Sequence, residues 1–433
     1  MMRLDTTSMK VQTLDGELLH EVPFVAPMVL SAQLAALTDT RPLPENERIT
    51  RIKRAGEIFA TEVLEGTGAE DYALNTARTS GIPVTVVRDS TSRLRAHTNV
   101  IDQVIGYSTA LGNDTAEVRR VRRGNLVGAH ATGIHPGSAS TFLEALALGF
   151  RVSVRLNRRE PLTSLRLMSA LRRAGFDDGQ VLVTAQEQGA AERQFAAADF
   201  VYGGDEVIRA NSTSPKVLPQ TSSRSAVLVG QNADTEQAIQ TSIESIVGHG
   251  GVSCTNSRLI AVHGNARRFA EALAERLGEI PIVPSTEESA ILPIIPPSTA
   301  DAISKYLASV TKSLEELSTS SAGTTGEAGA TCFTPKVYYS ESSNVRPLDV
   351  PVPVVTVIPW DSCEVPDAVL PALQLTAIGL EDQALNDLRD DPRVGNLAVG
   401  TVPTTAVEPG GPHDGYLADY LTRAKLIQRS VDG

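Results

Sequence analysis

Residues 125–156 read NLVGAHATGIHPGSASTFLEALALGFRVSVRL. The apolar run Asn125 to Ala131 predicts a strand, Ser138 to Leu148 a helix, and Phe150 to Leu156 a second strand. Strands joined through a helix run parallel, because a tight hairpin cannot make that connection. The alternation continues through a helix over Leu162 to Ala174 and a strand over Val181 to Thr184. A further helix then leads to the strand Phe200-Val201-Tyr202, closed by Gly203-Gly204. Such repeats build a parallel sheet covered by helices, with ligands bound at the carboxyl ends of the strands. The stretch contains no Gly-x-Gly-x-x-Gly turn, the usual dinucleotide signature.

Working outward, the first 40 residues read as short strands around the turn dipeptide Asp15-Gly16. Helices are expected over Arg41 to Gly66 and Ala69 to Ser80. After the break Gly81-Ile82-Pro83, Val84 to Val87 reads as a strand and Arg93 to Ala110 as a helix. A second α/β unit begins near Ser225, with strands at Ala226 to Val229 and Arg258 to Val262. Its helices are expected over Asp234 to Ile246, Ala266 to Leu277 and Ala300 to Leu317. Ser318 to Thr331 is low in complexity and reads as a loop. Strands return at Lys336 to Tyr339 and Val352 to Ile358, and the tail is expected to be helical over Tyr416 to Gln428. The implied division is 1–224, with a hairpin near 113–128, then 225–405, then a tail of 406–433.

The chain has 433 residues and a net charge of −12, from 39 basic and 51 acidic side chains. That length asks for more than one core. The acidity argues against a nucleic-acid binder that works by bulk charge. No apolar stretch is long enough for a membrane span, and the start lacks a secretion-signal pattern. Three cysteines form no disulfide framework and fit a reducing cytoplasm. Val118 to Val127 holds Arg119, Arg120, Arg122 and Arg123, either a solvated strand and subunit contact or a docking patch for a phosphate-bearing substrate.

Cys254 stands in Gly250-Gly251-Val252-Ser253-Cys254-Thr255-Asn256-Ser257-Arg258. A cysteine in a polar, hydroxyl-rich turn after two glycines is a candidate nucleophile, with room for close backbone approach by a ligand. The alternative is a buried structural thiol. Cys332 and Cys363 have weaker surroundings.

The order of these pieces resembles the aldehyde dehydrogenase superfamily. Cys254, Ser257 and Arg258 match its Cys-x-x-Ser-Arg pattern. Gln220 lies 34 residues before Cys254, at the family's spacing between general base and nucleophile. The strand Val152 to Arg155 with Glu160-Pro161-Leu162-Thr163 resembles the cofactor-binding strand, Arg155 standing for its lysine. Val201 to Val207 resembles the turn beside the cofactor. Tyr202-Gly203-Gly204-Asp205-Glu206, Leu373 to Gly379 and His413-Asp414-Gly415 are similar to the acyl-CoA reductases typified by the fatty acid reductase of bacterial bioluminescence.

The resemblance implies an aldehyde dehydrogenase-like α/β fold: two parallel-sheet units, one Rossmann-like, plus a small oligomerisation hairpin and a homodimer. It implies that Cys254 is the nucleophile. A glutamine at 220 lacks the basic carboxylate that would activate water, which fits reduction of an acyl thioester, from coenzyme A or an acyl-carrier protein, rather than acid formation. Alternatives are a thioester-forming aldehyde dehydrogenase and a non-catalytic subunit. The oxyanion would be met by the Cys254 N–H. The family's second donor, an asparagine, is missing from Thr132-Gly133-Ile134-His135-Pro136, so His135, Thr132 or a backbone N–H is the substitute. Arg155 and Arg158, with Arg159, suit a 2′-phosphate and hence NADPH over NADH. Gly203, Gly204 and Val207 line the cofactor turn, and Asp349 takes the ribose position. His413 and Asp414 line the entrance. No metal is expected.

Overall fold

The computed structural model describes residues 8–106, 116–131, 135–186, 191–203, 216–218, 224–318, 323–324, 330–361 and 364–428. Strand β1 (Ser8–Gln12) pairs antiparallel with β2 (Leu18–Pro23) around the Asp15-Gly16 turn, with Gly16 at φ 90. Strand β3 (Ala116–Arg122) precedes β4 (Leu126–His130), β5 (Arg151–Arg155), β6 (Val181–Thr184) and β7 (Phe200–Tyr202). The last four form a parallel sheet in the order β6-β5-β4-β7, as the alternating pattern requires.

A second sheet starts with β8 (Ser225–Val229) and β9 (Ser257–His263). The short strands β10 (Ile294–Ile295), β11 (Glu315–Glu316), β12 (Gly323–Thr324) and β13 (Thr331–Cys332) follow, then β14 (Lys336–Tyr339), β15 (Val354–Trp360), β16 (Ala372–Ile378) and β17 (Val394–Val399). Seven of them order as β11-β14-β15-β9-β8-β16-β17, all pairs parallel except β11 with β14. Strands β8 and β16 are buried along their whole length, because helices or loops cover both faces. Separate apolar clusters form on the two sides of this sheet: Val227, Ile260 and Val355 with Phe269 and Leu273 on one, Leu228, Leu259 and Ile358 with Leu375 on the other. Strand β18 (Thr422–Gln428) pairs antiparallel with β3, so the end of the chain returns to the segment before the first parallel sheet.

Three local expectations are corrected. Val84 to Val87 is the start of a helix, Val84–Asn99, rather than a strand. Pro83 sets its entry, and Val84, Val87, Ser90 and Leu94 are buried at helical spacing; tertiary burial overrides the β-preference of valine. Residues Pro27–Asp39 also form a helix, burying Leu30, Leu34 and Leu37, where strands were expected. The tail is helical only over Leu417–Leu421; Thr422–Gln428 is the strand β18, because the edge of β3 supplies backbone partners from Thr422↔Arg122 to Gln428↔Ala116. Among the described residues no helix is long and apolar enough to cross a membrane, and no group of three or more His, Cys, Asp or Glu is arranged to hold a metal.

Candidate active site

The segment leading to Cys254 is bent by its backbone. The helix Thr235–Val247, capped by the Asp234 carboxylate on the Gln237 N–H, ends at Gly248. His249, Gly250 and Gly251 follow at φ 53, 70 and 69, three consecutive left-handed residues. A Cβ on Gly251 would lie 2.8 Å from Pro353, and one on Gly250 would lie 3.0 Å from Pro83. The close approach that the glycines permit is therefore made by two prolines of the protein itself. That differs from the expectation of a ligand at this point.

Asn256 and Arg258 then hold the turn. The buried Asn256 amide accepts the Ser253 N–H at 2.8 Å and donates to the carbonyls of Ser245, Ile246 and Gly248. Arg258, 2% exposed, donates to Val352 O at 2.7 Å and Gly251 O at 3.0 Å. Burial pushes its guanidinium down to about 10. The Ser257-Arg258 part of the motif thus belongs to β9 and its anchoring rather than to bond making. Ser225, at the start of β8, donates its hydroxyl to Cys254 O. The thiol is consequently fixed between two central strands of the larger sheet.

Cys254 Sγ lies 2.9 Å from His413 Nε2, and His413 Nδ1 lies 2.6 Å from Asp414 Oδ2. Asn396 of β17 donates to His413 O, and the Tyr420 hydroxyl donates to Asp414 O, so both sides of this turn are held. The three side chains form a thiol–imidazole–carboxylate line. Desolvation alone would raise the Cys254 thiol, but the adjacent His413 outweighs it, and the thiol lies below its ordinary range. Desolvation opposes charge on His413 too, yet Cys254 and Asp414 hold the imidazole well above its usual value. Each group thus favours the charged form of the other. Cys332 provides the contrast: it is 0% exposed, and burial pushes its thiol up to about 11. Among the expectations, His413 and Asp414 were assigned only to the entrance; their direct partnership with the thiol was missed. The histidine–aspartate dipeptide was the available signal, but their distance from Cys254 in the sequence hid it.

The remaining candidates are placed as follows. Tyr202 ends β7 with Gly203 next; burial pushes its phenol up to about 12, and the charges of Cys254 and Asp414 reach it. The carboxyl end of the smaller sheet thus faces the thiol. Arg155 ends β5, and Arg158 is exposed in the following loop with its guanidinium 5.8 Å from the Phe24 ring. Asp349 is exposed and raises the buried Arg258 electrostatically. His135 accepts the Gly137 N–H on Nδ1 and meets the Ser90 hydroxyl at 3.2 Å through Nε2, with its ring 4.7 Å from that of His249. Gln220, Gly204, Val207, Thr132 and Cys363 lie outside the described residues. Within the arginine cluster, Arg120 bonds with Asp419 and Ala418 O, Arg123 with Tyr420 O, and Arg122 lies beside the Phe150 ring.

Residues 137–416 match the model of the aldehyde dehydrogenase family. Betaine aldehyde dehydrogenases of Brucella ovis and Brucella melitensis are 26% identical over 308 residues, which is 67% of this chain. The match spans 62% of the length of those curated relatives. Among solved structures, an aldehyde dehydrogenase of Bacillus cereus in complex with NAD+ superposes with a TM-score of 0.79 at 16% identity, covering 98% of this chain and 94% of that one. A glyceraldehyde-3-phosphate dehydrogenase of Methanocaldococcus jannaschii complexed with NADP gives 0.79 at 14% identity over 98% of this chain and 99% of that one. The fold is that of the aldehyde dehydrogenases, and the chain belongs to the aldehyde dehydrogenase family.

Proposed function

We propose that this protein reduces an acyl thioester to an aldehyde through a covalent thioester on Cys254, using NADPH, with NADH the alternative reductant. The observation that carries the reading is the 2.9 Å contact between Cys254 Sγ and His413 Nε2. A thiolate beside an imidazolium supplies two things that thioester cleavage needs at neutral pH: a nucleophile, and a proton for the departing thiol. Gln220 supports the same reading, since an amide oxygen does not take a proton from water. Both features support the likeness to the acyl-CoA reductases.

In this reading Cys254 attacks the carbonyl carbon, the bond to the carrier sulfur breaks, and His413 protonates the leaving thiolate. Asp414 orients the imidazole. The Cys254 N–H is one oxyanion donor. His135, which bonds to Ser90 and Gly137, or Thr132 or a backbone N–H, is the proposed second donor. When bound, a reduced nicotinamide would supply a hydride to the acyl carbon, after which the carbon–sulfur bond to Cys254 breaks to release the aldehyde and restore the thiolate. Arg155, Arg158, Gly203, Gly204, Val207 and Asp349 are the residues proposed to hold it. The donor set fits such a group: Arg155 and the exposed Arg158 stand at or beyond the carboxyl end of a parallel strand, and guanidinium forks match phosphate oxygens. The Bacillus cereus and Methanocaldococcus jannaschii neighbours, described with NAD+ and NADP, support the cofactor class.

The proposed division is a cofactor-binding unit over 1–224 with a hairpin near 113–128, a catalytic unit over 225–405 and a tail over 406–433. The β3–β18 pairing supports a ribbon through which two copies associate. The acyl donor is acyl-CoA or an acyl-carrier protein, and the setting is a reducing cytoplasm. Run backward, the same groups oxidise an aldehyde to a thioester, a second reading compatible with the relatives named as betaine aldehyde dehydrogenases. The test is to supply acyl thioesters and NADPH, follow NADPH loss and trap the aldehyde as a hydrazone. Equal amounts of both, abolished by Cys254→Ala, are expected. Rapid formation of free acid from aldehyde and NADP+ without any thiol would sink the reading.

A further inference from the structure

We propose that Arg120, Arg123 and Tyr420 are positioning residues for the thiol: they hold the tail so that His413 meets Cys254. This rests on the pairing of Cys254 with His413, on which the reductase reading also stands. It gives two members of the arginine run a task inside the chain instead of at a docking patch.

His413 stands in Pro409-Gly410-Gly411-Pro412-His413-Asp414-Gly415, and this stretch lies in no helix or strand. Its prolines donate no backbone hydrogen bond, and its glycines lose much freedom when fixed, so nothing local places the imidazole. Side chains from outside do so. On one side Asn396 of β17 donates through Nδ2 to His413 O at 3.0 Å and to Leu373 O of β16 at 3.2 Å. On the other side the Tyr420 hydroxyl donates to Asp414 O at 3.3 Å, and a Cβ on Gly415 would lie 3.2 Å from that hydroxyl.

Tyr420 belongs to the helix Leu417–Leu421, which is too short to be stable by itself. Its carbonyls receive guanidinium donors: Arg120 Nη1 reaches Ala418 O at 3.1 Å, and Arg123 Nη1 reaches Tyr420 O at 3.0 Å. Cations suit the carboxyl end of a helix. Arg123 N also donates to Leu421 O at 2.9 Å, and its guanidinium lies 5.9 Å from the Phe200 ring of β7. The further pair of Arg120 with Asp419 is partly exposed, at 32% and 51%, and such a surface pair contributes little alone. A line of contacts therefore runs from β3 and β7 through the short helix to Asp414, His413 and Cys254. Loosening it lets the imidazole leave the thiol, and burial then raises the thiol.

The test uses the full-length protein. Alkylation of Cys254 by iodoacetamide is followed across pH by mass spectrometry of the labelled peptide, beside thermal melts. Tyr420→Phe keeps the ring and removes only the hydroxyl. It is expected to move the alkylation profile upward and to slow labelling at pH 7 about threefold, with a nearly unchanged melt. Arg123→Gln and Arg120→Gln are expected to act in the same direction. Arg123→Lys, which retains a donor for Tyr420 O, is expected to recover part of the loss. Arg172→Gln breaks an exposed ion pair with Asp178 instead and is expected to label like the parent. The charges that bear on the thiol come from His413 and Asp414, with Arg258 and Tyr202 also within reach, and these variants leave all four side chains in the chain. NADPH-dependent thioester reduction is measured in parallel, with kcat lowered and KM little changed in the tail variants. Profiles that coincide with the parent's in Tyr420→Phe and Arg123→Gln overturn the inference and leave the reductase reading standing. A lower melt without a displaced profile assigns these residues to stability alone and overturns it too. A displaced profile in a protein that reduces no thioester supports the inference and removes the reductase reading. Should the arginine variants fail to fold, Tyr420→Phe decides.

Discussion

Cys254 Sγ and His413 Nε2 lie 2.9 Å apart across 159 residues of sequence. The contact joins the turn before β9 to the turn before the tail, and it makes the nucleophile depend on a residue near the far end of the chain. Alkylation by iodoacetamide reads this directly. Cys254 is expected to react already below the ordinary thiol range, while the buried Cys332 stays inert. His413→Gln removes the compensating cation, so burial then dominates and the reactive form appears only at higher pH. A rate that falls about tenfold at pH 7, with the profile displaced upward, is the expected result. An unchanged profile would show that the two groups do not ionise as a pair.

Arg258 is a stability residue by its contacts. Its guanidinium serves Val352 O and Gly251 O from a fully buried position. Arg258→Met leaves two buried carbonyls without these donors, at about 1–3 kcal/mol for each unsatisfied group. Urea unfolding is expected to show a loss of roughly 3 kcal/mol. A loss below about 1 kcal/mol would mean that other donors or water replace it.

Sequence patterns reached the parallel sheets because their central strands are largely buried and alternate with amphipathic helices. The strands β4 to β9 lie within a residue or two of their expected bounds. Failure came where an external partner decides the conformation. Val84 to Val87 has the residues of a strand, yet burial on one side makes it a helix. Strand β17 escaped notice because its residues are mostly half-exposed and it exists through pairing with β16. At the site, Cys254 was legible from its local motif. Its partnership with His413 was not, because contact between distant segments leaves no local periodicity.

Gly251 is required by geometry as well as by packing. It stands at φ 69, and a Cβ would lie 2.8 Å from the Pro353 ring. Gly251→Ala combines a left-handed backbone cost of about 1–2 kcal/mol with that clash. Lower stability together with slower Cys254 alkylation is expected, since the same turn positions the thiol. A variant as stable and as reactive as the parent would remove Gly251 from this role.

Arg158 carries the proposed preference for a 2′-phosphate. It is exposed and stacks near Phe24, so its removal breaks no buried network. Arg158→Ala is expected to weaken NADPH binding about tenfold, by roughly 1.4 kcal/mol, and to leave NADH nearly unchanged. Fluorescence titration of each cofactor separates the two. Equal weakening of both would assign Arg158 to the shared part of the cofactor instead.

The pair His135 and His249, with ring centroids 4.7 Å apart, sets an acid limit on the fold. Burial pushes His135 down to about 3 and His249 down to about 4, and Arg93 disfavours charge on both, while Asp89 favours it on His135. Both ring nitrogens of His249 are shielded from solvent. In the unfolded chain each would titrate near 6.5. Between about pH 6.5 and 4 the unfolded chain therefore binds protons that the folded chain excludes, and stability falls as pH drops through that window. Below these folded values the rings charge in place and no further loss comes from them. His249→Asn keeps a side chain that tolerates the left-handed backbone and removes one titrating ring. Thermal melts at a series of pH values are expected to give a shallower decline for this variant than for the parent. Parallel curves would show that His249 does not couple folding to protons.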